Sequence, residues 1–292
     1  MHYSKNTLIL KYGLIAVLSC LIISIFFYLQ FFLDEPVFLK HYYDLVIHEN
    51  SRISLHLITN SNDNRRIYRI KFPQMPEDFA YMELDYFSNG NDGYLRSQKF
   101  AHYNYNELVL NVVSLYDEVE NNSDEKSVVL DKAVIYYNNG DEQVVNIGKI
   151  VLHKNIKQTD DLTSTFVKSS NDNTSAAGFI SNDNLIIESI TSELDVELND
   201  IFELKMDGIN VKDLNYPIHV TTEDSFRFES QFKFEPDDER IYNVYDIHEK
   251  ISLIDSKGNN EIMKILNLDY YPWEVFQTES GIIQYLKNVG VR

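Results

Sequence analysis

Hydrophobic and polar positions divide the chain into distinct regimes. From Tyr12 to Leu33 the residues YGLIAVLSCLIISIFFYLQFFL are almost uniformly apolar; Ser19, Ser24 and Gln30 are the polar interruptions and none is charged. As a helix rising ~1.5 Å per residue, this stretch spans about 33 Å, the thickness of a bilayer's ~30 Å hydrocarbon core. Beyond Pro36 the pattern becomes period-two alternation, the mark of strands with one buried face. It fades between about 154 and 184 and then returns.

The alternation locates several strands. Ile53, Leu55 and Leu57 alternate with Ser54 and His56; after the polar turn 60–64, Tyr68, Ile70 and Phe72 alternate with Arg69 and Lys71. This predicts a hairpin with one buried face, ended by Pro73. Leu108, Leu110 and Val112 share a face. Val134–Tyr137 and Val144–Ile147 flank Asn138-Asn139-Gly140-Asp141, whose Asn-Gly step suits the positive φ of a tight hairpin. Strand character continues at Ile150-Val151-Leu152. Residues 154–184, rich in Ser, Thr, Asn and Asp, read as a polar linker or long loop. Past it, Val196 and Leu198 alternate with acids, and Phe226, Phe228, Phe232 and Phe234 alternate with Arg227, Glu229, Gln231 and Lys233.

The flanks of the apolar stretch set its orientation. Lys5 and Lys11 precede it, and Asp34, Glu35 and Pro36 follow. The positive-inside tendency places residues 1–11 in the cytoplasm, 12–33 across the membrane as a signal-anchor, and the remainder outside. Three other readings fit less well. A cleaved signal peptide needs small residues before the cut, whereas this segment ends Phe31-Phe32-Leu33. Val17-Leu18-Ser19-Cys20 resembles a bacterial lipobox, but thirteen mainly apolar residues follow the cysteine. A buried core helix would be unusually apolar on every side.

Composition sharpens this picture. Of 26 Lys and Arg only two precede Asp34, so the rest of the chain sets 24 bases against all 45 acids, a net charge of −21. Such a surface repels nucleic-acid phosphates. The single cysteine, Cys20, lies in the apolar stretch, which leaves the exterior without disulfides or thiolate metal sites. Twenty Tyr and 17 Phe with only 10 Gly favour strands.

Candidate chemistry is sparse. There is no G-x-S-x-G, and the S-x-x-K at Ser123–Lys126 lies in an acidic loop without a K-T-G partner. The eight histidines form no H-x-H or H-E-x-x-H; His41, His48 and His56 are only loosely grouped. Ser-Asn-Asp-Asn recurs at 61–64, 170–173 and 181–184, and 85–93 approaches an EF-hand loop but has Phe87 where an oxygen is needed. Calcium could use such oxygens, but turns use them too. With so many acids, a carboxylate pair at glycosidase spacing arises by accident. Asp269-Tyr270-Tyr271-Pro272-Trp273 holds the only Trp; Tyr270, Tyr271 and Trp273 form the candidate binding surface, with core packing as the alternative.

The sequence therefore predicts a mainly β protein: one N-terminal transmembrane helix followed by two β-sandwich domains, Ig-like or related, at 37–153 and 185–292. It points to an extracytoplasmic binding or scaffold protein of the cell membrane, working through contact with a protein of the envelope or with an envelope polymer. No catalytic residue, cofactor or metal site emerges. An assembly factor of an envelope secretion or conjugation complex, or an envelope-polymer enzyme using acidic residues, are the alternatives.

Overall fold

The computed structural model describes residues 5–47, 51–77, 79–85, 94–114, 126–154, 160–170, 173–235 and 237–291. Helix α1 (Lys5–Phe31) leads into β1 (Val37–Phe38), β2 (His41–Val46), β3 (Ser51–Asn60), β4 (Ile67–Lys71), β5 (Ala80–Leu84), β6 (Arg96–Lys99), β7 (Tyr103–Ser114), β8 (Lys126–Tyr137) and β9 (Glu142–Lys154). Next come β10 (Leu162–Ser170), β11 (Thr174–Ser181), β12 (Leu185–Thr191), the short helix α2 (Asp195–Leu198), β13 (Phe202–Met206), β14 (Ile209–Asn210) and β15 (Ile218–Val220). The chain closes with β16 (Ser225–Phe232), β17 (Val244–Ile254), β18 (Asn260–Tyr270) and helix α3 (Glu279–Asn288).

Among the described residues the strands form three sheets. The first runs β1-β3-β7-β5, with β6 also on β7; another runs β10-β11-β16-β13-β14. Between them lies an eight-stranded sheet, β15-β12-β17-β2-β9-β8-β4, with β18 on the other edge of β17. Its β4-β8-β9-β2 half packs on the first sheet around Leu55, Leu57, Leu110, Leu130 and Ile150. Its β12-β15-β17-β18 half packs on the other sheet around Ile187, Leu253, Phe226 and Phe228. The molecule is thus two sandwiches joined through one continuous sheet.

Several expectations need correction. Strands β3 and β4 do not form a hairpin: β3 pairs with β1 and β7, and β4 pairs with β8 in the other sheet. The polar turn between them carries the chain across the sandwich. A bulge between Ile67 and Arg69 breaks the alternation, so Tyr68 is exposed while Ile67 and Ile70 are buried. The expected strand around 195–199 is the helical turn α2, with Val196 exposed and Leu198 buried.

The proposed linker 154–184 is largely strand. β10 and β11 pair antiparallel across eight residue pairs. Its polar look comes from β10 being an edge strand, exposed from Thr163 to Ser170. Within β11, Ala176-Ala177-Gly178 is closely packed: a Cβ on Gly178 would lie 2.3 Å from the Phe166 ring. The division into domains at 37–153 and 185–292 also shifts. Phe276, Ile282, Tyr285 and Leu286 join the core of the first sandwich, so the C-terminal segment returns to it.

Other expectations match. Val134 pairs with Val144 and Tyr136 with Glu142, around a turn in which Gly140 has φ +92°. Phe226, Phe228 and Phe232 are buried, while Arg227 and Lys233 are exposed. Helix α3 was unexpected, although Thr278 caps it by accepting from the Gly281 N–H, and Ile282, Tyr285 and Leu286 recur at helical spacing. His48, 86–93, 171–172 and 123–125 lie outside the described residues.

The pairing of β2 with β9 depends on one glycine. Gly148 faces His41 with φ +98°, and a Cβ there would sit 2.3 Å from the His41 carbonyl oxygen. Gly148→Ala combines left-handed strain with a backbone clash and should cost more than ~1 kcal/mol. Urea midpoints of the whole chain in non-ionic detergent would show it; an unchanged midpoint would mean the strand pair can part without loss.

Candidate functional site

The structure takes the aromatic segment 269–273 mainly into packing. Tyr270 is 9 % exposed and lies among Phe232, Phe234 and Tyr245. Its hydroxyl donates to the Ile241 carbonyl at 2.8 Å. Tyr271 and Trp273 are half-buried and turn to the first sandwich, where both meet the His56 ring at centroid distances of 5.5 and 5.7 Å. Trp273 also packs edge-on against Tyr105 at 5.3 Å, and the Arg96 guanidinium lies 5.5 Å from its ring centre. The three residues therefore do not make one platform: Tyr270 serves the joint between the sandwiches, and the other two cover the outer side of β3.

This cover explains a buried histidine pair. His41 and His56 are both fully buried, and the His56 backbone N–H donates to His41 Nε2 at 2.8 Å. Burial lowers the pKa of His41 to about 3 and drives that of His56 well down, helped by His41 and Arg96. Both rings are neutral at physiological pH and serve as packing and hydrogen-bonding groups. Tyr105 Oη lies 3.0 Å from His56 Nδ1.

A second polar cluster marks a fork in the central sheet. One edge of β17 is taken by β2 over Val244–Ile247 and then by β12 over Lys250–Ile254. Two strands meeting end to end leave ladder groups unpaired, and Asp44 fills the gap. Its Oδ2 accepts from Ser192 Oγ and from the Glu193 N–H, each at 2.7 Å. Its Oδ1 takes Lys250 Nζ at 2.6 Å and lies 2.8 Å from His153 Nε2. Asp44 is 0 % exposed and Lys250 6 %. Burial alone would raise the Asp44 pKa, but the hydrogen bonds and charges of His153 and Lys250 outweigh it and hold the carboxyl well below the usual range. Nothing in the sequence marks these partners, because those outside the pair Ser192-Glu193 are scattered and Lys250 lies 206 residues along the chain from Asp44.

Beside the fork stands Glu249, 2 % exposed, at the back of a cavity of about 220 Å³ between β12, α2, β13 and the turn Val211–Asp213. Pattern reading missed it because one acid in an otherwise apolar row is a weak signal without knowledge of the row's burial. Among the described residues no group of three or more His, Cys, Asp or Glu could hold a metal ion. The Ser-Asn-Asp-Asn runs at 61–64 and 181–184 spend side chains on nearby backbone: Asp63 Oδ1 accepts from the Arg65 N–H at 2.9 Å, and Ser181 Oγ donates to the Asp183 carbonyl.

Comparison with known proteins adds little. No family model and no curated protein matches the chain. Among solved structures it is similar to a protein of unknown function from Porphyromonas gingivalis W83, at 12% identity and TM-score 0.26, covering 80% of this chain and 98% of that one. It is also similar to the D00-D0 domain of intimin, at 11% identity and TM-score 0.21, covering 81% and 99%. A third similarity is to fibronectin(III)-like modules of Clostridium thermocellum CbhA, at 12% identity and TM-score 0.15, covering 80% and 93%. Scores this low assign neither fold nor role, and the two-sandwich architecture rests on the sheet pairings and cores described above.

Proposed function

We propose that this chain is a membrane-anchored binding or scaffold protein: α1 lies in the bilayer, and the two sandwiches, Ig-like or related, work by contact outside the cytoplasm. The observation that carries the reading is the contrast between α1 and the body. On α1, Leu10, Leu14, Ile15, Val17, Leu18, Ile22 and Phe26 are each half exposed or more, on several sides of the helix. Left in water, apolar area on that scale costs ~25 cal/mol per Å²; lipid removes the cost. Among the described residues, whose side chains on α1 run continuously only from Leu10 to Phe26, no helix is long and apolar enough to cross a membrane. The span therefore rests on the uncharged, mainly apolar sequence from Tyr12 to Leu33.

The neck supports a scaffold role. Asn60, at the end of β3, accepts from the Leu33 N–H at 2.9 Å and donates to the Leu33 carbonyl at 2.7 Å. Phe31 stacks on His102 at 4.4 Å. A helix clamped to the sandwich in this way holds the body at a set orientation, which suits a protein that presents a surface to a neighbour.

Protease added to intact cells or spheroplasts should remove the chain beyond Leu33, and the chain should stay in the membrane pellet under high salt and carbonate. Release by carbonate, or protection of the body until lysis, would overturn the anchoring or its direction. Cross-linking followed by a pull-down from detergent extracts should recover the chain with an envelope protein or polymer; recovery of the chain alone would count against the contact role.

A further inference from the structure

The inner face of β17 is expected to be apolar. Tyr245, Ile247, Ile251 and Leu253 alternate along it into the cores of the second sandwich, all buried. The residue at the middle of this row is Glu249. Its Oε1 is buried and has no hydrogen-bond partner among the described residues. A buried acceptor left unmade is destabilising, and a native structure that keeps one calls for a reason.

The cavity in front of Glu249 supplies one. Leu198, Phe202, Leu204, Val211 and Tyr216 give it mainly apolar walls. The charged groups that act on Glu249 are Asp195 from α2, Asp44 from β2, Lys250 from its own strand and Lys212 from the turn Val211–Asp213; Tyr216 is the other titratable group of the wall. Neither lysine neutralises it. Lys250 Nζ is spent on Asp44 at 2.6 Å, and Lys212 Nζ bonds Asn199 Oδ1 at 2.8 Å. Two carboxyls, Glu249 at the back and Asp195 at the rim, are thus left facing a small apolar space.

We propose that this cavity binds a small organic cation, an ammonium group on a short apolar body, with Glu249 receiving the ammonium and Phe202 and Tyr216 flanking the body. The acids exclude an anion. The apolar walls, and the lack of a third metal-ligating side chain among the described residues, set an organic cation above a metal ion. Ring faces add attraction for a cation.

Protonation gives the site a signature. Burial, then the charges of Asp195 and Asp44, push Glu249 up to about 8. A cation binds the ionised carboxylate and must displace the proton, so affinity should rise about tenfold per pH unit below that value, and ~50-fold from about pH 6 to about pH 8.

The test uses the whole chain in a maltoside detergent, with butylammonium as probe, charged throughout that range. Methyl resonances of Leu198, Leu204 and Val211 should shift on titration, more tightly at the higher pH. Glu249→Gln, neutral like the protonated acid and nearly isosteric, should keep the fold while losing at least tenfold in affinity and the pH dependence. Leu214→Trp, at the cavity wall, should weaken binding and leave the pH dependence of the residual affinity intact. Equal binding in Glu249→Gln would overturn the proposal. So would calcium shifting the same methyls more tightly than butylammonium, or the absence of any shift at millimolar probe, which would leave Lys212 as the cavity's own cation.

Discussion

Replacing Phe228 by alanine should lower the stability of the protein by ~3–5 kcal/mol, from lost transfer energy and the cavity left behind. The side chain is fully buried, opposite Ala177 on β11 and Met206 on β13, and it packs edge-on against Phe226 at 5.7 Å and Phe179 at 6.0 Å. Alanine at position 177 offers nothing that could swing in to refill the space, so relaxation is limited. The loss is a large part of the ~5–15 kcal/mol that holds a typical domain together. Lys233, on the exposed face just past the same strand, pairs with Glu203 at 2.6 Å. Lys233→Ala should cost less than about 1 kcal/mol, because solvent screens an exposed pair. The comparison is one of urea midpoints for the whole chain in detergent. A fragment beginning at Leu185 is unsuitable, because β17 pairs with β2 and α3 packs in the first core. Equal midpoints for wild type and Phe228→Ala would show that the aromatic row does not hold the second sandwich.

Replacing Asp44 by alanine should cost ~3–5 kcal/mol by a different route. The variant leaves the buried Lys250 ammonium, the His153 ring, the Ser192 hydroxyl and the Glu193 N–H without their common acceptor. A double variant, Asp44→Leu with Lys250→Met, should recover much of the loss, since removing both charges also removes the cost of burying them. The pH dependence has a definite sign. A carboxyl whose folded pKa is held below its unfolded value stabilises above the unfolded value of ~3.9, and that contribution fades as pH falls through the folded value. The gap between wild type and Asp44→Ala should therefore be full at neutral pH and shrink below about pH 4. A gap that persists unchanged into strong acid would mean that Asp44 acts by packing alone.

The sequence by itself determined what is local. The uncharged, mainly apolar run from Tyr12 to Leu33 specified a helix, and α1 is one as far as Phe31. The Phe226–Phe232 alternation specified a strand and its buried face, because period two leaves a side chain only two directions. Asn139-Gly140 specified a hairpin, because a positive φ is cheap there. Tertiary structure decided which strands are neighbours. Periodicity gives a strand two faces but not its partners, so β3 and β4 looked like a hairpin and part into different sheets. It made β10 an edge strand paired with β11 although the composition of this region reads as a linker, since an edge strand needs few apolar residues when water covers most of it. It turned Tyr271 and Trp273 inward onto His56, which an aromatic cluster cannot announce by itself. The fork at Asp44 and the cavity before Glu249 belong wholly to the fold. Each joins residues far apart in the chain, and the chemistry of each comes from burial, which only the packed whole supplies.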